Sequence, residues 1–196
     1  MPETARSRFP DILLFARNFL QHPRMLGSII PSSRFLIKQV LEPVDWSRAR
    51  VIVEYGPGVG SITAEILRRM HPEGRVVAIE TNRDFVAFLQ RALPDPRLHV
   101  VQGSAADVNA ILARLGLPAA SYIISGIPFS TMPDALRADI VRKSRSALEP
   151  GGAFLVYQFS RRVLPDLQRT FEVVTRGFQP LNVLPAHLFV CATESG

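Results

Sequence analysis

The sequence predicts an α/β fold built on a mostly parallel sheet, and three observations predict it. The first is the stretch Val51-Ile-Val-Glu-Tyr-Gly-Pro-Gly-Val-Gly-Ser-Ile-Thr63, where a β-branched run breaks into glycines at 56, 58 and 60 and then turns helical. Strand, tight glycine turn and helix form the opening unit of a nucleotide-binding sheet, because the turn brings backbone close to a ligand and the helix start offers unpaired N–H groups. The second is the repetition downstream of short apolar runs alternating with amphipathic helical stretches, the rhythm of right-handed parallel crossovers. The third is continuity: 196 residues, 47% of them apolar, carry no internal repeat, low-complexity tract or flexible linker, which fits one core.

Taken in order, Phe9 to Leu20 reads as an amphipathic helix, with Phe9, Ile12, Leu13, Ala16, Phe19 and Leu20 on one face. Gly27-Ser-Ile-Ile-Pro-Ser-Ser33 is a turn-rich segment, and Ser33 to Leu41 a second helical stretch. Ser61 to His71 is the first crossover helix, closed by Pro72 and Gly74. Arg75 to Glu80 is a buried strand, and Thr81 or Asn82 caps a helix from Arg83 to Ala92. Leu98 to Val101 is the third strand and Asp107 to Leu115 a short helix. Ser121 to Ser125 is the fourth strand, followed by a long helix from the Thr131-Met-Pro133 start to Leu148. Glu149-Pro-Gly-Gly152 is a turn feeding a fifth strand, Ala153 to Phe159, and a last pair of extended runs lies near Phe171–Arg176 and His187–Thr193.

Composition narrows the partners. A net charge of +6 and a pI near 10.4 favour an anionic partner, either nucleic acid or an anionic membrane surface. From Met1 to Val40, six basic residues stand against two acidic ones. A basic, aromatic helix there fits an interfacial segment, whose attraction to an anionic leaflet reaches about 4 kcal/mol at roughly 1 kcal/mol per basic residue. That supports reversible adsorption. No run approaches the ~18 apolar residues of a spanning helix, and no leader with a cleavage site is legible, so a cytoplasmic, peripherally bound protein is expected. The single cysteine, Cys191, excludes an internal disulfide. The histidines at 22, 71, 99 and 187 are scattered, so no metal site is expected.

The glycine loop and its acidic flank carry a family resemblance. Glu54-x-Gly56-x-Gly58-x-Gly60 resembles the first motif of the class I S-adenosylmethionine-dependent methyltransferases, and three further matches follow in that family's order. Val76-Val-Ala-Ile-Glu80 resembles the second strand, Val100-Val-Gln-Gly-Ser-Ala105 the third strand with the adenine-side turn, and Ile123-Ile-Ser-Gly-Ile-Pro-Phe129 the fourth strand with the acceptor loop. The resemblance implies a Rossmann-like, seven-stranded, mostly parallel sheet with an antiparallel last strand, preceded by N-terminal amphipathic helices. It implies S-adenosyl-L-methionine as cofactor and S-adenosyl-L-homocysteine as product. The cofactor residues carried over are Ser32, Glu54, Gly56, Pro57, Gly58, Gly60, Glu80, Thr81, Gly103, Ser104, Ala105 and Ser125. Glu80 would hold the ribose hydroxyls, since a carboxylate at a strand's carboxyl end accepts from two vicinal hydroxyls. The family often has an acid beside the adenine; here Asp107 comes late in that turn.

The fourth motif sets the subclass. Amino-methylating nucleic-acid enzymes carry Asn or Asp, Pro, Pro, then an aromatic, whereas this chain reads Ser125-Gly-Ile-Pro-Phe129. Loss of the amide and of bulk at Gly126 fits a small polar head group better than a flipped base. With the basic N-terminus, Gly27–Ser33 and Tyr157-Gln-Phe159, the whole resembles the bacterial phospholipid N-methyltransferases. The implied reaction is stepwise methylation of phosphatidylethanolamine toward phosphatidylcholine, with Ser125 and Tyr157 catalytic and Gly126, Ile127, Pro128, Phe129, Tyr157, Arg161 and Arg162 binding the acceptor. Residues 1–45 would form a membrane-adsorbing lid and 46–196 the methyltransferase domain, acting as a monomer on an anionic phospholipid membrane at the inner face of the cell membrane, without nucleic acid. The alternative readings are an rRNA or DNA adenine N6-methyltransferase and a cofactor-binding adaptor without catalysis.

Overall fold

A computed structural model describes residues 33–181 and 185–192, so the expected helix at 9–20 and the segment 27–32 lie outside the described residues. The first described helix, α1 (Arg34–Leu41), begins at Ser33, whose Oγ accepts from the Leu36 backbone N–H at 3.1 Å and donates to the Leu181 carbonyl at 2.8 Å. There follow β1 (Val51–Tyr55), α2 (Ser61–Arg69), β2 (Arg75–Glu80), α3 (Arg83–Ala92), β3 (Leu98–Gln102) and α4 (Val108–Arg114). The second half comprises β4 (Ala120–Ser125), α5 (Asp134–Ala147), β5 (Leu148–Gln158), α6 (Leu164–Thr170), β6 (Val173–Gln179) and β7 (Ala186–Ala192).

The strands form one seven-stranded sheet in the order β3-β2-β1-β4-β5-β7-β6. The first five run parallel, and β7 is antiparallel to both β5 and β6. The resemblance's seven-stranded sheet, with its antiparallel last strand, is therefore the observed one. Chain order reverses between β1 and β4, the point at which an open α/β sheet leaves a crevice beyond the carboxyl ends of its strands.

Alternation along the strands divides the core into two layers. Val51, Val53, Tyr55, Val77, Ile79, Ile123, Phe154 and Val156 face one side, together with Ile140 and Val141 of α5 and Leu167 of α6. Ile52, Val76, Ile124 and Leu155 face the other, against Leu36, Val40 and Leu41 of α1 and Ile62, Ile66 and Leu67 of α2. Each such fully buried branched side chain contributes about 1.5–3 kcal/mol, so both faces need covering and both are covered.

Two elements differ from the sequence reading. The stretch Glu149–Gly152 is not a separate turn but part of β5, because a register irregularity between Ala120 and Tyr122 lets the extra residues ride on the ladder. Helix α6 went unread: it is seven residues long and buries only Asp166 and Leu167, too short a stripe to give a period. Elsewhere the strand and helix assignments hold to within a few residues, and Asn82 rather than Thr81 is the α3 cap, its Oδ1 accepting from Asp84 and Phe85 backbone N–H groups.

Candidate cofactor and acceptor site

The glycine turn after β1 opens the crevice. Gly56, Gly58 and Gly60 all have positive φ (67°, 54° and 79°). At Gly56 the requirement is double, since a Cβ there would also lie 2.9 Å from Ile127 Cγ2. The cofactor loop is thus pressed against the acceptor loop, and the two motifs that sequence places 71 positions apart form one wall. Gly56 N–H donates to the Ile79 carbonyl and Gly103 N–H to the Glu80 carbonyl, both at 3.0 Å, which ties the loops after β1, β2 and β3 into one rim.

Two carboxylates sit on this rim. Glu80 ends β2, and its Oε1 accepts from the Asn82 N–H at 2.9 Å and from Thr81 Oγ1 at 3.4 Å. The carboxylate is therefore anchored through one oxygen, leaving the other as an acceptor for a ligand's hydroxyls. Glu54 is 2% exposed and accepts from Thr63 Oγ1 at 2.6 Å. Burial pushes its pKa up to about 7, with the Thr63 hydrogen bond opposing and the Glu80 charge assisting. Thr63 escaped the sequence reading, although a hydroxyl on the buried Ile62–Ile66–Leu67 stripe of α2 was a signal for it. Beyond β3, Ser104 Oγ caps a short 3₁₀ turn, Ala105–Asp107, by accepting from Ala106 N–H; Ala105 is buried and Asp107 exposed.

A nucleoside with a charged tail fits this set. The positive-φ glycines keep backbone at the surface of the turn, where no Cβ stands between it and a ligand, and one anchored carboxylate stands at a strand's carboxyl end beside it. Gly56, Pro57, Gly58, Gly60, Glu54, Glu80, Thr81, Gly103, Ser104 and Ala105 share this rim; Ser32 lies outside the described residues.

The acceptor side is built by β4 and β5. Gly126 N–H donates to the Tyr55 carbonyl at 3.1 Å, and a Cβ at Gly126 would lie 2.0 Å from the Tyr157 hydroxyl oxygen and 2.4 Å from its Cζ. The Tyr157 ring therefore closes directly over Gly126. Gln158 Nε2 donates to the Ile127 carbonyl at 2.6 Å, holding the loop to β5; a polar residue continuing the buried Phe154–Val156 alternation was the missed signal. The Ser125 and Tyr157 side chains, from the two residues expected to be catalytic, face opposite layers. Ser125 continues the Ile123 layer whereas Tyr157 packs on the opposite layer with Leu155. Ser125 Oγ is fully buried and has no hydrogen-bond partner among the described residues.

Phe129, expected among the acceptor-binding residues, is fully buried in the first core layer, so its ring offers no exposed face to a substrate. Its hydrophobicity is better satisfied below the loop, where the 3₁₀ turn Phe129–Thr131 plugs the core. Pro128 is exposed on the loop's outer side. Arg161 and Arg162 are both exposed after β5; Arg162 donates to the Ser130 carbonyl at 3.3 Å and reaches Asp134 at 3.5 Å. Asp134 also pairs with Arg137, whose Nε donates to the buried Asp166. This chain of charges, unread in the sequence, braces the acceptor loop from behind; Arg137 lying on the Ile140–Val141–Ser144 stripe of α5 was its signal.

Comparison with known proteins follows this division of the site. The family model described as ribosomal RNA adenine dimethylase matches residues 19–114, the cofactor half, and stops before the acceptor loop. An ornithine lipid N-methyltransferase from Singulisphaera acidiphila is 34% identical over 189 residues, covering 92% of this chain and 95% of that one. A ribosomal RNA small subunit methyltransferase A from Laribacter hongkongensis is 35% identical over 91 residues, 46% of this chain and 29% of that one. Among solved structures, a methyltransferase from Geobacter sulfurreducens superposes with a TM-score of 0.65 at 17% identity, covering 97% of this chain and 92% of the other, a likeness of fold.

Proposed function

Because this chain belongs to the class I S-adenosylmethionine-dependent methyltransferases, in the same family as the ornithine lipid N-methyltransferase that matches nearly its full length, we propose that it methylates the amine of a membrane aminolipid. The acceptor we assign is phosphatidylethanolamine, methylated stepwise toward phosphatidylcholine at the membrane surface, with residues 1–45 as the adsorbing lid. The observation that carries this reading is the closure of Tyr157 over Gly126, which narrows the acceptor end, while the buried Phe129 has no face to stack on a base.

The bound cofactor supplies an electrophilic methyl group on a positively charged sulfonium. The chain's own contribution is placement, worth ~7–11 kcal/mol when the attacking nitrogen is held in line. A head-group amine with the ~10.4 pKa of a lysine is protonated at pH 7, so freeing its lone pair costs about 4–5 kcal/mol. Desolvation between the glycine loop and Tyr157 lowers that cost. The Tyr157 hydroxyl and the Ser125 main-chain carbonyl are the acceptors that orient the amine, the serine through its backbone because its side chain lies in the other layer. The Tyr157 ring gives a π face to each more methylated cation, and Arg161, exposed beyond β5, takes the lipid phosphate with Arg162 beside it.

The ribosomal RNA reading is favoured by the family model over residues 19–114 and is weakened beyond that match, at Ser125-Gly126 and the buried Phe129. One experiment separates the readings: labelled S-adenosylmethionine offered in parallel with phosphatidylethanolamine vesicles, ornithine lipid vesicles and total RNA. Label in mono-, di- and trimethylated phosphatidylethanolamine is the expected result. Label confined to the ornithine lipid would reassign the acceptor, and label confined to RNA would overturn the lipid reading.

A further inference from the structure

Six large apolar side chains are exposed among the described residues: Phe35, Leu136, Phe159, Val173, Phe178 and Leu181. All but Val173, at the start of β6, lie toward the carboxyl edge of the sheet, the edge on which the acceptor cleft opens. Strand β6 runs parallel to β5, since each is antiparallel to β7, so the ends of both strands share that edge.

Register makes four of these residues neighbours along the rim. Gln158 of β5 and Phe178 of β6 both pair with His187 of β7, and Phe159 continues β5 by one residue. Leu181 follows β6, and its carbonyl accepts from Ser33 Oγ at the start of α1, two residues before Phe35. The exposed fractions are 42% for Phe35, 48% for Phe159, 52% for Phe178 and 61% for Leu181. Cations accompany them: the Arg34 guanidinium lies 4.9 Å from the Phe35 ring centroid, and the exposed Arg161 and Arg162 follow Phe159, with Asp134 beside Arg162 the acidic group in contact. Aromatic and aliphatic tips mixed with arginines suit the head-group layer of an anionic bilayer, where rings insert and guanidiniums pair with phosphates.

We infer that Phe35, Phe159, Phe178 and Leu181, with Arg34 and Arg161, form a docking rim that seats the carboxyl edge of the sheet on an anionic lipid surface. The surface is additional to the N-terminal residues and deepens the lipid-acceptor reading, on which it rests for the nature of the surface. It turns the Gly126–Tyr157 opening toward the head groups, so an acceptor amine enters without its lipid leaving the bilayer.

The test uses the full chain and vesicles of phosphatidylglycerol mixed with phosphatidylcholine. A Phe35→Ser, Phe178→Ser, Leu181→Ser variant, its fold checked by cofactor binding, is expected to lose at least tenfold in adsorption. Methyl transfer to vesicle-borne acceptor should fall with it, while transfer to a short-chain acceptor dispersed as monomers stays within twofold. Adsorption within twofold of the parent would overturn the rim. A second measurement does not depend on the triple variant: the indole introduced by Phe178→Trp should be quenched by lipids brominated along the acyl chain, while the native Trp46, on the opposite edge near Arg69, should not. Equal quenching of both, or none at position 178, would also overturn the rim. A parent chain that adsorbs through the rim yet methylates no aminolipid would sink the functional reading and leave the docking face standing.

Discussion

The Tyr157 hydroxyl oxygen lies 2.0 Å from where a Cβ would stand on Gly126, so glycine at 126 is a condition for the tyrosine's position. A Gly126→Ala substitution must displace the ring, because Cζ is only 2.4 Å from the same point and no rotation of the hydroxyl relieves the clash. Turnover with an aminolipid is expected to fall at least tenfold while cofactor affinity, set by the glycine turn and Glu80, changes little. Isothermal titration beside single-turnover methyl transfer reads the two separately, and unchanged turnover would dissociate Tyr157 from the acceptor.

Ser125→Ala is expected to be nearly silent in turnover. The side chain faces the layer of Ile123 and Val156, and its buried Oγ lacks a partner among the described residues. Replacing an unpaired buried hydroxyl by a methyl group is neutral or stabilising, by up to about 1 kcal/mol. Thermal unfolding with and without cofactor checks it; a large loss of kcat would return the hydroxyl to the chemistry.

Glu54 gives a pH dependence with a definite sign. Its folded pKa, about 7, is raised from 4.5, so its contribution to stability is fully present below about pH 4.5 and is lost as pH rises through about 7. The difference is on the order of 3 kcal/mol. A cationic cofactor favours the ionised carboxylate, so binding should release a proton below pH 7 and affinity should rise from pH 5 to 8. Titration across that range checks this, and Glu54→Gln should flatten both curves; a parent chain already flat would refute the assignment.

Glu80→Gln keeps the shape of the β2 terminus but removes the charge that hydrogen-bonds a ligand. Such a bond contributes about 1.5–3 kcal/mol, so cofactor affinity should weaken roughly tenfold to a hundredfold. Equilibrium dialysis would measure it, and a change under threefold would argue against a ribose contact.

Arg137 and Asp166 form an ion pair with side chains 8% and 3% exposed. Arg137→Met leaves Asp166 buried with, among the described residues, the exposed Arg169 as partner, and the expected cost is about 3 kcal/mol or more. Denaturant unfolding reads the loss, and Arg137→Met combined with Asp166→Leu should recover most of it.

By itself, the sequence determined the sheet and the cofactor wall. Runs such as Val51–Val53 and Val76–Ile79 can be buried on both faces only as inner strands, and the glycines at 56, 58 and 60 admit backbone conformations open to few other residues. These are local properties, and they carry across the chain with little dependence on context. What only the tertiary structure decided is where single side chains on the acceptor side face. Phe129 reads as an acceptor-binding residue but is buried in the core beneath its loop, and Ser125 and Tyr157 fall in opposite layers because each strand's alternation fixes its own face. The brace of Arg162, Asp134, Arg137 and Asp166 likewise draws on residues up to 32 positions apart, as between Arg162 and Ser130. Hydrophobic period is written in neighbours along the chain. Which polar groups meet across two loops depends on how the elements pack, and that information is distributed over the whole core.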